Sequence, residues 1–140
     1  LYAIYLAKQK NKIYNYCVSM NNTFLPLYWE VAGRAMLGIL DLKVYELEET
    51  LICDPNLLDD KACIEAIEKI KRRPIRSIFE ELGFDPEKPI REQEPAPLPD
   101  RKALDDLVFD ALGLTEQERK EVYWAVAELV KSRLDKARSV

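Results

Sequence analysis

The chain has 140 residues, of which 48% are apolar and 33% charged, and its formal net charge is −4. It contains no histidine, which excludes Ser-His-Asp triads, Cys-His dyads and histidine metal sites, and its four glycines form no phosphate-binding loop. The three cysteines, Cys17, Cys53 and Cys63, are an odd number without paired spacing, which favours a reducing compartment over a disulfide framework. The sequence therefore offers neither a catalytic motif nor a set of metal ligands.

The chain begins at Leu1 and shows no leader with a basic start and an apolar core. No apolar run approaches the ~18 residues that are needed to span a bilayer. We therefore expect an internal or C-terminal piece of a longer cytoplasmic protein, with no membrane as a partner.

Residues 1–18 are rich in aromatic and β-branched side chains. Within them, 1–6 and 13–18 flank a polar stretch with three lysines, a pattern typical of two strands joined by a turn. The turn has no glycine, so 13–18 can also be the start of a helix. We predict that this region supplies the small β element of a mainly α fold, and an α+β fold is the alternative.

A first helix is predicted over 23–32. Asn21 and Asn22 are candidates for its N-cap, Pro26 lies in the first turn, and Gly33 suits the left-handed position after the last turn. Helical spacing places four side chains of this helix toward a core: Leu27, Tyr28, Val31 and Ala32.

The middle of the chain is less regular. We expect a loop over 36–40, and the pattern over 42–52 fits either a short strand or an irregular helix. A second helix begins at Pro55 or Asp59, after the cap-and-proline pair at Asp54, and ends near Lys71. Its inward face carries Cys63, Ile67 and Ile70.

A third, short helix is predicted after Pro74, and Gly83 ends it. Its inward positions are Ile75, Ile78, Phe79 and Leu82. Five of the eight prolines follow within 85–100, which indicates an extended linker over the surface or a partly disordered one.

The C-terminal part has the clearest signals. Asp100 is predicted to cap a helix that ends before Gly113, and Thr115 opens a capping box with Glu118 before a long helix to Ala137. The core positions of these two helices are Leu104, Leu107, Val108 and Ala111, then Val122, Val126, Leu129 and Val130. The chain thus divides into three parts: a first region over 1–84, a linker over 85–100 and a helical hairpin over 101–140.

Basic residues are concentrated in two places. Residues 1–40 carry four basic side chains against one acidic, and 61–76 carry six against two, whereas 41–60 carry one against seven. Clusters of this kind meet phosphate backbones, although cations at a helix end are often only solvated. The predicted phosphate contacts are Lys8, Lys10, Lys12, Arg34, Lys71, Arg72, Arg73 and Arg76.

Other polar and aromatic groups have simpler explanations. The acidic side chains at Glu46, Glu48, Glu49, Asp59 and Asp60 are typical of a solvated face, because nothing in their spacing fixes an acid–base or magnesium geometry. The aromatic residues near the N-terminus can stack on bases, but packing in a core or on a sheet face is the commoner role; they are Tyr2, Tyr5, Tyr14, Tyr16, Tyr28 and Trp29.

Two stretches resemble a known family. The first runs through Asn21-Asn22-Thr23, Gly33-Arg34, Leu37-Gly38, the Val44-Tyr45-Glu46-Leu47 segment and Asp54-Pro55. It is similar to the target-recognition region that follows the catalytic domain in adenine-specific DNA methyltransferases. The second runs from Asp100 through Gly113-Leu114-Thr115 to Ala137-Arg138-Ser139 and resembles the C-terminal tail of the same proteins.

The resemblance implies a DNA-reading part of a methyltransferase or restriction-modification protein. Its partners are then DNA and the catalytic domain of the parent chain, where S-adenosylmethionine is expected. The Gly-rich cofactor loop and the Asn-Pro-Pro-Tyr motif of that family are absent here; Asp54-Pro55-Asn56 lacks the second proline and the aromatic residue and fits a helix cap better. We therefore expect no methyl transfer, no cofactor and no metal in this chain alone. The alternative is a helical protein-interaction module whose last two helices dock a partner.

Overall fold

The computed structural model describes residues 10–36 and 39–139. Seven α-helices and one antiparallel strand pair lie in these ranges. In chain order they are α1 (Ile13–Asn21), α2 (Phe24–Ala32), β1 (Arg34–Met36), β2 (Ile39–Asp41), α3 (Val44–Glu48), α4 (Asp60–Ile70), α5 (Ile78–Leu82), α6 (Pro99–Ala111) and α7 (Glu116–Arg138). The prediction of a mainly α fold with a small β element is confirmed.

The β element lies later in the chain than predicted. Residues 13–18 belong to α1, while β1 and β2 pair Met36 with Ile39 in the stretch 36–40 that was expected to be a loop. Residues 1–6, the other predicted strand, lie outside the described residues. Helix α1 buries Asn15, Val18 and Ser19, which share one helical face, so packing outweighs the β propensity of the tyrosines and isoleucine.

Gly33 follows α2 as predicted, but the structure requires glycine there for a reason other than a left-handed backbone. Its φ of −77° and ψ of 169° are extended, not left-handed. A Cβ at this position would lie 2.6 Å from the Trp29 carbonyl oxygen and 2.8 Å from Leu40 Cδ1, so only glycine fits the close approach.

The buried side of α2 differs from the predicted face. Val31 is 72% exposed, and Ala32 is exposed as well, so their inward placement was wrong. Leu25 is buried instead, and Leu27 packs against the core as expected.

Caps define the next helices. Helix α3 settles 42–52 in favour of a short helix. A single 3₁₀ turn follows over Pro55–Leu57, where the Asp54 carboxylate accepts a hydrogen bond from the Asn56 amide at 2.9 Å. Asp59 Oδ1 then accepts from the Ala62 amide at 2.8 Å and begins α4, whose Cys63 and Ile70 are buried as predicted.

Helix α5 is shorter than the prediction. Ser77 caps it with Glu80 in a capping box, so the helix starts three residues after Ile75, which is 63% exposed rather than inward. Phe79 and Leu82 are buried as expected. Gly83 ends the helix in the left-handed conformation with a φ of 75°.

Two apolar clusters make up the core, and α6 contributes to both. Leu104 and Val108 face the first, which also holds residues of α1 and α4. Phe109 faces the second, where α5 and α7 pack. The first comprises Val18, Leu58, Cys63, Ala66, Ile70, Leu104 and Val108; the second comprises Phe79, Leu82, Phe84, Ile90, Phe109, Val122, Tyr123, Val126 and Ala127.

The proline-rich stretch 85–100 is anchored to this core. Ile90 is buried in the second cluster, the Trp124 indole donates to the Gln93 carbonyl at 2.7 Å, and the amides of Ala96 and Leu98 donate to carbonyls of α5. The three-part division of the chain stays a prediction.

The C-terminal helices match their predicted limits closely. Helix α6 begins at Pro99 with Leu98 at the cap position, so Asp100 lies in the first turn rather than at the cap. The capping box of Thr115 and Glu118 is confirmed, and Val122 and Val126 are buried, whereas Leu129 is only partly so. Among the described residues, none of the helices has the length and apolarity to cross a membrane.

Candidate nucleic-acid interface

The segment 71–77 joins α4 to α5 and carries four of the predicted phosphate contacts. Turn hydrogen bonds from the Arg72 and Arg73 amides to the carbonyls of Lys69 and Ile70 end α4. Pro74 then disfavours a helical conformation at Arg73, and the chain stays irregular until the Ser77 cap. The four basic side chains therefore lie on irregular backbone between the two helices.

Arg73 lies at the centre of the segment and turns inward. Its Nη1 and Nη2 donate to the two carboxylate oxygens of Glu81 at 2.6 and 2.9 Å, a bidentate pair. Its Nε and Nη2 donate to Asp100 at 2.7 and 2.9 Å, and Nη1 also donates to the Pro74 carbonyl. All five N–H groups of the guanidinium are thus engaged, so Arg73 has no donor left for a phosphate.

Glu81 receives more than the Arg73 fork. The side chain of Glu81 is 1% exposed, and its oxygens also accept the Arg76 amide at 3.0 Å and Arg101 Nε at 3.3 Å. Bonding to Arg73 lowers the pKa of Glu81 to about 2, and the same guanidinium lowers the pKa of Asp100. Both acids are therefore charged at neutral pH. Glu81 accepts hydrogen bonds from Arg73, which precedes Pro74, and from the Arg76 amide, which follows it.

The polar network continues into the junction of α1 and α2. Arg101 Nη1 donates to the Asn21 carbonyl at 2.5 Å, and Asp105 accepts the amide and the hydroxyl of Thr23, both at 2.7 Å. Burial raises the pKa of Asp105 to about 6 despite these bonds. Helix α6 thus ties the α1–α2 junction and the segment 71–77 to one polar network.

The other cations of the segment point outward. Arg72 and Arg76 are exposed, and neither side chain makes a hydrogen bond or an ion pair within the described ranges. Lys71 is 56% exposed and pairs with Glu68 at 2.5 Å, an exposed contact that screening weakens. The Tyr14 hydroxyl donates to the same Glu68 carboxylate at 3.3 Å, so one of the predicted aromatic residues lies beside the basic segment.

The N-terminal candidates are less informative. Lys12 is 21% exposed and pairs with Asp60 at 2.5 Å, at the start of α4. Lys10 and Arg34 belong to a 3₁₀ turn and to β1, but their side chains, like the whole of Lys8, lie outside the described residues.

Burial disfavours the thiolate form of two of the three cysteines. All three cysteines are free, and burial raises the pKa of Cys63 to about 11 and that of Cys53 above its ordinary value. In the parts of the chain that the structure describes, His, Cys, Asp and Glu side chains form no group of three or more that could hold a metal ion.

Sequence reasoning missed Glu81, Asp100, Arg101 and Asp105 as parts of one network. The residues that Arg73 joins are 8 and 27 positions away, so no local pattern relates them. The one available signal was the acidic charge of the flanking segment.

Comparison of the chain with protein-family models, with curated proteins and with solved structures gave no match. The likeness to DNA methyltransferases therefore stays a prediction that depends on the sequence pattern.

Proposed function

We propose that this chain is a DNA-recognition module, the target-recognition and C-terminal part of an adenine-specific DNA methyltransferase or restriction-modification protein of the cytoplasm. The catalytic domain of the parent would bind S-adenosylmethionine and transfer the methyl group. The observation that supports this proposal is that the segment 71–77 exposes Lys71, Arg72 and Arg76 to solvent, while Glu81 holds its backbone at the Arg76 amide.

Charge distribution supports the same assignment. Residues 61–76 hold six basic and two acidic side chains, while 77–100 hold two basic and seven acidic ones. A chain of net charge −4 is repelled by DNA as a whole, so contact must occur where the local charge is positive. Exposed arginines suit this contact, since a guanidinium can bind a phosphate through two parallel hydrogen bonds.

The placement of α6 and α7 favours DNA over the docking alternative. That alternative needs an apolar face on the last two helices that is open to a partner. Leu104, Val108, Val122 and Val126 are instead buried against other parts of the chain.

The test is an affinity measurement with Arg72→Gln/Arg76→Gln. We expect weaker binding by a similar factor on duplexes of unrelated sequence, because phosphate contacts carry no sequence information. The assay should use the full-length parent protein, since its catalytic domain is expected to close the other side of the duplex. The same variants are then measured in this chain alone.

The matched control is Lys43→Gln/Lys102→Gln, which removes two half-exposed cations elsewhere on the surface. It lowers the net charge by the same amount and is expected to leave affinity nearly unchanged. Equal losses for the two double variants would assign the effect to overall charge and contradict the proposal.

A further inference from the structure

We propose that Glu81 is a positioning residue for DNA binding: through its hydrogen bonds to the Arg73 side chain and to the Arg76 amide, it fixes the backbone of the segment 71–77 from which Arg72 and Arg76 extend into solvent. This inference rests on the proposed function. Glu81 itself is buried and does not contact DNA.

The geometry of these hydrogen bonds spans the segment. Glu81 Oε1 accepts Arg73 Nη1 at 2.6 Å from one side of Pro74 and the Arg76 amide at 3.0 Å from the other. One carboxylate oxygen therefore holds the side chain of Arg73 close to the backbone of Arg76. Asp100 accepts from the adjacent edge of the Arg73 guanidinium, from Nε at 2.7 Å and from Nη2 at 2.9 Å, which fixes the plane of the guanidinium.

Stability alone gives a weak reason for such an arrangement. Desolvating a carboxylate and a guanidinium is costly, and well-packed apolar residues often stabilise a fold as well as a buried ion pair does. What a fully bonded pair supplies is a defined local geometry. A segment that is already ordered loses less conformational entropy when it binds, so its arginines bind phosphate more tightly.

The inference makes a specific claim about coupling. If Glu81 acts through Arg72 and Arg76, the effects of substituting Glu81 and of substituting the two arginines on DNA affinity do not add. We expect Glu81→Gln to weaken DNA binding and to lower the slope of log affinity against log salt by up to about 1.8, since each phosphate that is no longer bound lowers it by about 0.9. Added to Arg72→Gln/Arg76→Gln, the same change is expected to cause no further loss of affinity.

Two further variants separate positioning from simple structural damage. Arg73→Lys keeps the net charge but loses the fork, and it is expected to weaken binding as Glu81→Gln does. It also carries the test if Glu81→Gln does not fold. Asp105→Asn alters the same polar network at Thr23, away from the segment 71–77, and is expected to leave the affinity of the folded protein unchanged.

The outcomes distinguish the two proposals. Equal losses from Glu81→Gln in both backgrounds, or equal losses from Asp105→Asn and Glu81→Gln, would overturn the positioning role while leaving DNA binding in place. A parent protein whose affinity does not change in Arg72→Gln/Arg76→Gln would overturn the proposed function, and the positioning role with it.

Discussion

Two buried carboxylates of one network respond to the fold in opposite ways. Glu81 meets an arginine fork, and its pKa falls to about 2, whereas Asp105 meets mainly neutral donors in a desolvated site, and its pKa rises to about 6. The contribution of Glu81 to stability is present above its ordinary pKa near 4.5 and is lost as the pH falls toward 2. The contribution of Asp105 has the reverse sign.

The variant Asp105→Asn tests how the contribution of Asp105 to stability changes with pH. A raised carboxyl pKa favours the folded state below its ordinary value of 3.8, and this advantage is lost as the pH rises through about 6. The shift corresponds to about 3 kcal/mol of unfolding free energy. We expect the variant to show a smaller decline in stability between pH 4 and pH 6 than the natural chain, in denaturant titrations at each pH. The same decline in both would contradict the buried, raised-pKa state of Asp105.

At the scale of elements, local signals predicted helices well where a cap was present. The Asp59 cap of α4 and the Thr115 capping box of α7 follow directly from the sequence. The errors occurred where a distant contact decides. Helix α1 has a β-like sequence but buries one helical face, on which Asn15 donates to the carbonyls of Pro55 and Leu58, 40 and 43 residues away. Gly33 is needed because the Trp29 carbonyl oxygen and the Leu40 side chain both approach it, and the contact with Leu40 depends on the pairing of β1 with β2.

The candidate site was predictable only in part. The charge pattern located the basic segment, and the structure exposes Arg72 and Arg76 there. It did not reveal that Arg73, between them, bonds inward to Glu81 and Asp100. Three arginines in a short run are equivalent in sequence, and only the tertiary packing of α5 and α6 distinguishes them.

Two glycines offer a matched pair for the helix ends. Gly83 and Gly113 both have positive φ, at 75° and 70°. A Cβ on Gly83 would lie 2.3 Å from the Ala96 carbonyl oxygen, whereas one on Gly113 would meet nothing within 4 Å. We expect Gly113→Ala to cost about 1–2 kcal/mol of unfolding free energy for the left-handed conformation, and Gly83→Ala to cost clearly more. Equal costs in chemical denaturation would show that Ala96 moves aside freely.

At the scale of the whole molecule, α6 is the central element. It contributes to both apolar clusters and carries Asp100, Arg101 and Asp105 of the polar network. The sequence suggested a separate C-terminal hairpin because the prolines of 85–100 are typical of a linker. Packing of α6 on α4, and of α7 on α2, was not visible in either helix alone.

This arrangement predicts one cooperative unfolding transition. Trp124 reports on the second cluster through its bond to Gln93, and Trp29 reports on the α2 region through its bond to Thr50. We expect the fluorescence of Trp124 in Trp29→Phe, and of Trp29 in Trp124→Phe, to follow the same denaturant midpoint as the far-UV circular dichroism of each variant. Two separated midpoints within a variant would support the three-part division instead.

The salt dependence of DNA affinity tests the central claim most directly. The slope of log affinity against log salt counts the phosphate contacts, whatever sequence is read. We expect Arg72→Gln/Arg76→Gln in the parent protein to lower that slope by about 1.8 relative to the natural protein. An unchanged slope and an unchanged affinity would contradict the claim that the segment 71–77 contacts DNA.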